Sequence, residues 1–181
     1  MILDEIIATN RKLLELRKAK RPLDELKASC SKREPPKDAI SVLSQPAISL
    51  IAEIKRASPS RGVISADLDA ISLAKTYQKG GAAAISVLTE TEYFKGSTAD
   101  LEAVRGAVEV PVLRKDFIFD SYQVWEARAI GADIVLLIAA SLPAKELSRL
   151  REGIEGLGMT ALIEVHNLKE LELVLELDPP V

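Results

Sequence analysis

Four charged side chains stand where short apolar runs end, and they are the residues best placed to do chemistry. Glu53 and Lys55 close the run SLIAEIK (49–55), Lys115 closes VPVLRK (110–115), and Glu164 lies near the end of TALIEV (160–165). Glu53 and Lys55 are two residues apart, so on a strand they share one face. A charge inside an otherwise apolar strand is costly unless it is paired or used. Beside a second cation a lysine can release a proton or hold an anion, and a glutamate in a dry pocket can accept one. The competing reading is a structural ion-pair layer that plugs one end of the fold.

Other polar residues collect at the same ends: Arg56, Thr89, Glu90, Arg114, Asp116, His166 and Asn167. The segment ASPSRGVISAD (57–67) is long for a strand-to-helix loop, and such loops at an active face are usually lids or binding loops. Ser58 and Ser60 offer hydroxyls there, and Arg61-Gly62 offers charge and a pliable backbone. Phe94 and Phe117 fall just past the second and third runs, two of only seven aromatics. They either wall a pocket for a ring or pack as ordinary core. His166 reads as a cap or surface residue. Cys30 lies away from every strand end and does not read as a nucleophile. Tyr122 and Trp125 read as packing residues on a helix.

These positions need elements to hold them. Five apolar, β-branched runs recur: 49–55, 83–88, 110–115, 133–138 and 160–165. Helix-period stretches follow them at 69–79, 98–108, 121–130, 143–156 and 167–177. Gly80-Gly81, Gly131 and Gly158 stand where left-handed helix caps are expected. Strands alternating with helices of this length mean βαβ units and a parallel sheet, and nearly continuous apolar strands mean cover on both faces. Two architectures compete, an open doubly wound sheet and a (β/α)8 barrel. No G-x-G-x-x-G or Walker A motif follows a strand, which weakens the nucleotide-binding reading. In a barrel, alternate strands fill one inward layer, so Lys55, Lys115 and Glu164 on the first, third and fifth strands converge.

Residues 1–48 read as a helical extension and 49–181 as a partial barrel of five units. Leu3, Ile6, Ile7, Leu13 and Leu14 give residues 2–20 a helical stripe. Its other face carries Arg11, Lys12, Arg17, Lys18 and Lys20 and is expected to face solvent. Residues 31–38 read as a loop.

The chain has 181 residues, 48 % hydrophobic and 28 % charged, with a net charge of −3. That charge provides no global field for nucleic acid. One Cys excludes an internal disulfide and points to a reducing compartment; one Cys and one His exclude a Cys/His zinc site within the chain. No apolar run reaches the roughly 20 residues of a membrane span. Acids interrupt the N-terminal apolar stretch, so it does not read as a signal peptide. A cytoplasmic protein with neither membrane nor nucleic-acid partner is expected.

The segments IAEIKRASPSRG (51–62), VLTETEYFKGS (87–97), VLRKDFIFDSYQV (112–124), GADIVLLIAA (131–140) and LIEVHN (162–167), in this order, resemble the indole-3-glycerol phosphate synthases of tryptophan biosynthesis. The signatures E-x-K-x-x-S-P-S and R-K-D-F are the most specific. The resemblance implies a (β/α)8 TIM barrel and a carboxy-lyase without metal or organic cofactor. Its substrate is a phosphorylated small molecule, 1-(2-carboxyphenylamino)-1-deoxyribulose 5-phosphate. Ring closure, decarboxylation and dehydration yield indole-3-glycerol phosphate. It implies Lys115 as general acid, Glu164 as general base, Lys55 on the substrate carboxylate and as a second acid, and Glu53 orienting the lysines. It further implies Ser58 at the phosphate and Pro59, Phe94, Phe117 and Leu136 around the aromatic ring.

A (β/α)8 barrel needs about 250 residues. The family's later strands, with an asparagine, a glutamate–serine pair and glycine-rich phosphate loops, have no counterpart in these 181 residues. Strands one and five are then expected as open edges prone to self-association, and activity of this chain alone is expected to be negligible. The alternatives are another phosphosugar lyase or a Schiff-base aldolase built on Lys115 or Lys55, and a non-catalytic fragment that self-associates.

Overall fold

The computed structural model describes residues 2–179; Met1 of the extension and Pro180-Val181 of the last unit lie outside the described residues. Three helices come first: α1 (Ile2–Lys20), α2 (Leu23–Cys30) and α3 (Ala39–Leu43). Then follow β1 (Ile51–Ile54), a small hairpin β2 (Ala57–Ser58) and β3 (Gly62–Val63), and α4 (Ala70–Lys79). The remaining elements alternate: β4 (Ala84–Leu88), α5 (Thr98–Arg105), β5 (Val112–Lys115), α6 (Ser121–Ile130), β6 (Ile134–Ile138), α7 (Ala144–Gly156), β7 (Thr160–Glu164) and α8 (Leu168–Leu175).

The main sheet is parallel and runs β1-β4-β5-β6-β7, in chain order. A doubly wound sheet reverses its strand order at a switch point and carries helices on both faces. Here the strand order never reverses, and the crossover helices cover one face only. Ile54, Ile85, Val87, Val112, Val135, Leu137 and Ala161 form one core with residues of α4, α5, α6, α7 and α8. The alternate positions Ala84, Leu113, Ile134, Leu136 and Ile138 form a second cluster on the other face with Ala39 and Leu43 of α3. All the crossover helices lie on one side, so the units are those of a barrel wall.

Local chemistry fixes the element ends. Asp69 caps α4 by accepting the Ile71 and Ser72 N–H groups, Ser97 caps α5, and Asn167 caps α8 through Glu170 N. At α6, Asp120 accepts Tyr122 N at 2.8 Å while Gln123 Oε1 accepts Asp120 N at 3.1 Å. Of the glycines expected as helix caps, Gly81, Gly131 and Gly158 are left-handed, with φ of 91°, 89° and 79°; Gly80 stays right-handed at φ −75°. Asp133, fully buried at the start of β6, accepts Val112 N at 2.8 Å and Lys37 N at 2.7 Å and pairs with Arg105 at 3.1 Å. One carboxylate thereby ties β5, α5 and the segment before α3 together.

The N-terminal helices pack against the barrel wall. Leu14 and Leu26 join Cys30, Tyr122 and Ala129 in a buried cluster between α1, α2 and α6. Tyr122 Oη donates to the carbonyls of Arg17 and Arg21 at 3.1 and 2.7 Å. The basic face of α1 does not simply face solvent. Arg17 pairs with Glu126 at 3.1 Å, Lys18 with Asp120 at 2.8 Å, and the Arg11 guanidinium lies 4.7 Å from the Phe119 ring centroid. The acids that draw this face inward lie more than a hundred residues away, beyond any local pattern. Lys12 and Lys20 remain exposed.

Candidate active site

The C-terminal ends of β1, β5 and β7 deliver four charged side chains to one point. Lys55 Nζ donates to Glu53 Oε1 at 2.7 Å. Lys115 Nζ lies 3.5 Å from Glu53 Oε2 and 3.4 Å from Glu164 Oε2. The strand period puts Glu53 and Lys55 on the same face, as their spacing requires. Lys115 follows Leu113 on the face that carries the second core cluster, and Leu136 shares it. Acid and base therefore alternate, Lys55–Glu53–Lys115–Glu164, each about one-third exposed.

This row lies in a pocket of about 770 Å³. All nine residues singled out from the sequence border it: Glu53, Lys55, Ser58, Pro59, Phe94, Lys115, Phe117, Leu136 and Glu164. The Phe94 and Phe117 rings stand 6.1 Å apart at 39°, an apolar wall beside the charges. Ile2, Leu3 and Ile6 of α1 also reach the pocket, as does His166. The sequence carried a signal for the α1 contribution, the apolar stripe of that helix, but nothing in it said which surface the stripe covers.

The loop after β1 is built to hold its shape. Its β2–β3 hairpin pairs Ala57 with Val63 and Ser58 with Gly62, and Gly62 turns with φ 65°. Ala57 N donates to Phe94 O at 3.2 Å, and Arg56 O accepts Ile64 N and Ser65 N at 2.8 and 3.1 Å. The Arg56 guanidinium reaches outward to the Asp100 carboxylate of α5 and to Leu68 O. Ser58 Oγ accepts Arg61 N at 3.3 Å and faces the pocket half-buried.

Two buried acids hold the aromatic wall. Glu90 accepts the N–H groups of Glu92, Tyr93 and Phe94 at 3.1, 2.7 and 3.0 Å, so the turn that places Phe94 is wound around its carboxylate. Asp116 accepts Phe117 N at 2.8 Å and Thr89 Oγ1 at 2.7 Å. Behind Lys115, the fully buried Arg114 donates to Asp116 at 2.9 Å and to Glu126 at 2.7 Å. Burial works against the Arg114 charge, but Glu126 and Asp116 outweigh it and hold the guanidinium above its ordinary value. On one strand, then, the outward arginine anchors and the inward lysine is presented.

Cys30 is buried against α6, with Sγ 3.5 Å from Trp125 O; burial pushes its thiol up, away from nucleophilic use. Tyr122 and Trp125 pack in the α1–α2–α6 cluster. Among the described residues no three His, Cys, Asp or Glu side chains converge to hold a metal ion. Among them, too, no helix is long and apolar enough to cross a membrane.

The comparison with known proteins agrees with the motifs. The family model for indole-3-glycerol phosphate synthase matches residues 3–181. The chain is 51 % identical over 185 residues to indole-3-glycerol phosphate synthase of Kineococcus radiotolerans, covering 99 % of this chain and 68 % of that protein. It is 50 % identical over 175 residues to indole-3-glycerol phosphate synthase 1 of Streptomyces coelicolor, and 52 % over 176 residues to the enzyme of that name from Parafrankia sp.. Each of those two matches covers 97 % of this chain and 65 % of the relative. The chain thus spans about two thirds of the length of the curated relatives it matches. With a family match along almost its whole length, identity of about one half, and five consecutive units of a barrel wall, the chain belongs to the indole-3-glycerol phosphate synthase family and carries five units of its TIM-barrel fold.

Proposed function

We propose that this pocket serves the reaction named by its relatives, as a cytoplasmic carboxy-lyase of tryptophan biosynthesis acting on 1-(2-carboxyphenylamino)-1-deoxyribulose 5-phosphate. The observation that carries the reading is the position of Lys115 between two carboxylates, 3.5 Å from Glu53 and 3.4 Å from Glu164. Such a lysine is held between two acceptors and aimed into the pocket, as a general acid must be.

The chemistry then divides among the four charges. The Lys115 ammonium protonates the substrate carbonyl oxygen as the ring carbon bearing the carboxylate attacks the carbonyl carbon. The carbon–carboxylate bond breaks and CO2 leaves. Lys55, which first holds the substrate carboxylate, protonates the departing hydroxyl as water. Glu164 takes the proton lost from carbon in that dehydration. Glu53, bonded to Lys55 at 2.7 Å and facing Lys115, keeps both ammonium groups oriented. Phe94, Phe117, Leu136 and Pro59 receive the aromatic ring, and the Ser58 hydroxyl receives the phosphate. Each placed acid or base contributes about 10²–10⁴-fold.

Ser58 is one hydroxyl for a doubly charged phosphate, and the barrel's other phosphate loops have no counterpart in these residues. Turnover by this chain alone is therefore proposed to be negligible, while its acid–base row and ring wall still bind the indole end. β1 and β7 each pair on one side only among the described residues, and the proposal includes self-association through those edges. Light scattering tests it: a multiple of the chain mass supports the association, and a monomer contradicts it. Binding of indole-3-glycerol phosphate by calorimetry tests the reading. Heat lost on Lys55→Ala supports it, and no binding by the unaltered chain overturns it. Borohydride reduction in the presence of substrate separates the aldolase alternative, which would trap a covalent adduct on Lys115 or Lys55.

A further inference from the structure

The two oxygens of Glu164 face in different directions. Oε2 faces Lys115 Nζ at 3.4 Å, inside the pocket, and Oε1 faces His166 Nε2 at 3.2 Å. The His166 side chain is 59 % exposed, so a ring in contact with the pocket carboxylate also touches solvent. Its other nitrogen, Nδ1, faces Glu170 of α8 at 3.9 Å, and Glu170 Oε2 accepts the His166 backbone N–H at 2.8 Å, which ties the main chain there to the start of α8. Along the row the order is His166, Glu164, Lys115, Glu53, Lys55, with His166 the most exposed member, Glu170 beside it and Arg61 bordering the same pocket.

We propose that His166 is the proton-relay and positioning residue of Glu164, passing a proton from solvent through the carboxylate to Lys115. This deepens, and rests on, the synthase reading. The need follows from the balance of that reaction. A substrate carboxylate leaves as neutral CO2 and an oxygen leaves as water, so each turnover consumes one proton. Lys115 and Lys55 each give one, and Glu164 gains one. Returning the Glu164 proton restores one lysine and leaves the other to be refilled from outside. Glu164 Oε2 returns its proton to Lys115 Nζ, Lys115 passes one through Glu53 to Lys55, and imidazolium then gives its Nε2 proton through Glu164 to Lys115, which leaves the carboxylate free to act as base again and both lysines reprotonated. Atoms and charge balance, and the exposed ring refills from water. A histidine suits this step because its charge changes between pH 5 and 8.

His166 is the chain's single histidine, so its ring signals need no assignment. The test is an NMR titration of the 181-residue chain, with ¹⁵N-histidine and glutamate labelled at the carboxyl carbon, from pH 5 to 8. Glu164→Gln identifies the Glu164 resonance by its loss. The Glu164 carboxyl signal is expected to move in step with the His166 ring, and the movement should vanish in His166→Gln, which keeps a donor near the Nε2 position but carries no titrating proton. A Glu164 signal indifferent to the histidine, or unchanged in His166→Gln, overturns the relay. Indole-3-glycerol phosphate added to a phenylalanine-labelled sample of the chain checks the functional reading separately. Shifts at Phe94 and Phe117 support that reading, and their absence contradicts it while the titration still decides the His166–Glu164 pair.

Discussion

Lys115 and Glu164 face each other at 3.4 Å although a whole strand, β6, lies between theirs. Only a curved sheet whose alternate strands point into one layer brings them within reach. Both remain about one-third exposed. Ion pairs with that much water access are worth about 0–1 kcal/mol. Lys115→Ala and Glu164→Gln should each shift urea-unfolding stability by less than about 1 kcal/mol. A loss above about 3 kcal/mol in either would mark the row as a structural ion-pair layer.

Arg114, one residue earlier, behaves in the opposite way. It is fully buried, and its removal strands Asp116 and Glu126 in the interior. Breaking a buried ion network from one side costs about 3–5 kcal/mol. Arg114→Ala should lose that much in equilibrium unfolding and weaken the α1 contact made by Arg17 to the same Glu126. A loss under about 1 kcal/mol would mean that the network is not holding β5 in place.

Gly96 fixes the aromatic wall. A Cβ there would lie 2.3 Å from Leu88 O, a backbone atom that cannot yield cheaply. Its N–H donates to Glu90 O at 2.7 Å, closing the turn that carries Phe94. Gly96→Ala should destabilise the chain by about 1–3 kcal/mol and broaden or move the Phe94 ring resonances. A variant with native stability and unmoved Phe94 signals would contradict this account of the turn.

Asp120 gives the acid limb of stability. Burial pushes its carboxyl upward, but the Lys18 ammonium and the Tyr122 N–H outweigh burial and hold it below its ordinary 3.8. Lys18 is raised in turn, chiefly by the same hydrogen bond. A carboxyl depressed in the folded state stabilises above its unfolded value, and that stability is lost as pH falls through the folded one. Urea midpoints of Asp120→Asn should be lower than those of the parent at pH 7 and should converge with them below about pH 4. A constant gap down to pH 2 would contradict the assignment.

Much of the fold was legible because parallel strands covered on both faces leave unbroken apolar runs. Glu53 and Lys55 were legible as a pair because a strand repeats every two residues. What escaped was set by distance along the chain. Arg17, Arg114 and Glu126 meet through three elements, and no local period relates them. The basic face of α1 looked solvated because Asp120 and Glu126 lie on a helix remote in sequence. The β2–β3 hairpin is two residues a side, too short for an alternation to declare itself. His166 looked like a surface residue, and by exposure it is one; its contact with Glu164 depends on how the chain turns after β7.

The central claim is that Lys115, between Glu53 and Glu164, serves indole-forming acid–base chemistry. Calorimetric titration of the 181-residue chain with indole-3-glycerol phosphate, alongside Lys115→Ala and Cys30→Ser, tests it most directly. The account predicts binding with a Kd of about 1 mM or tighter, at least about tenfold weaker in Lys115→Ala and unchanged in Cys30→Ser. No binding by the unaltered chain, or equal binding by Lys115→Ala, would contradict it.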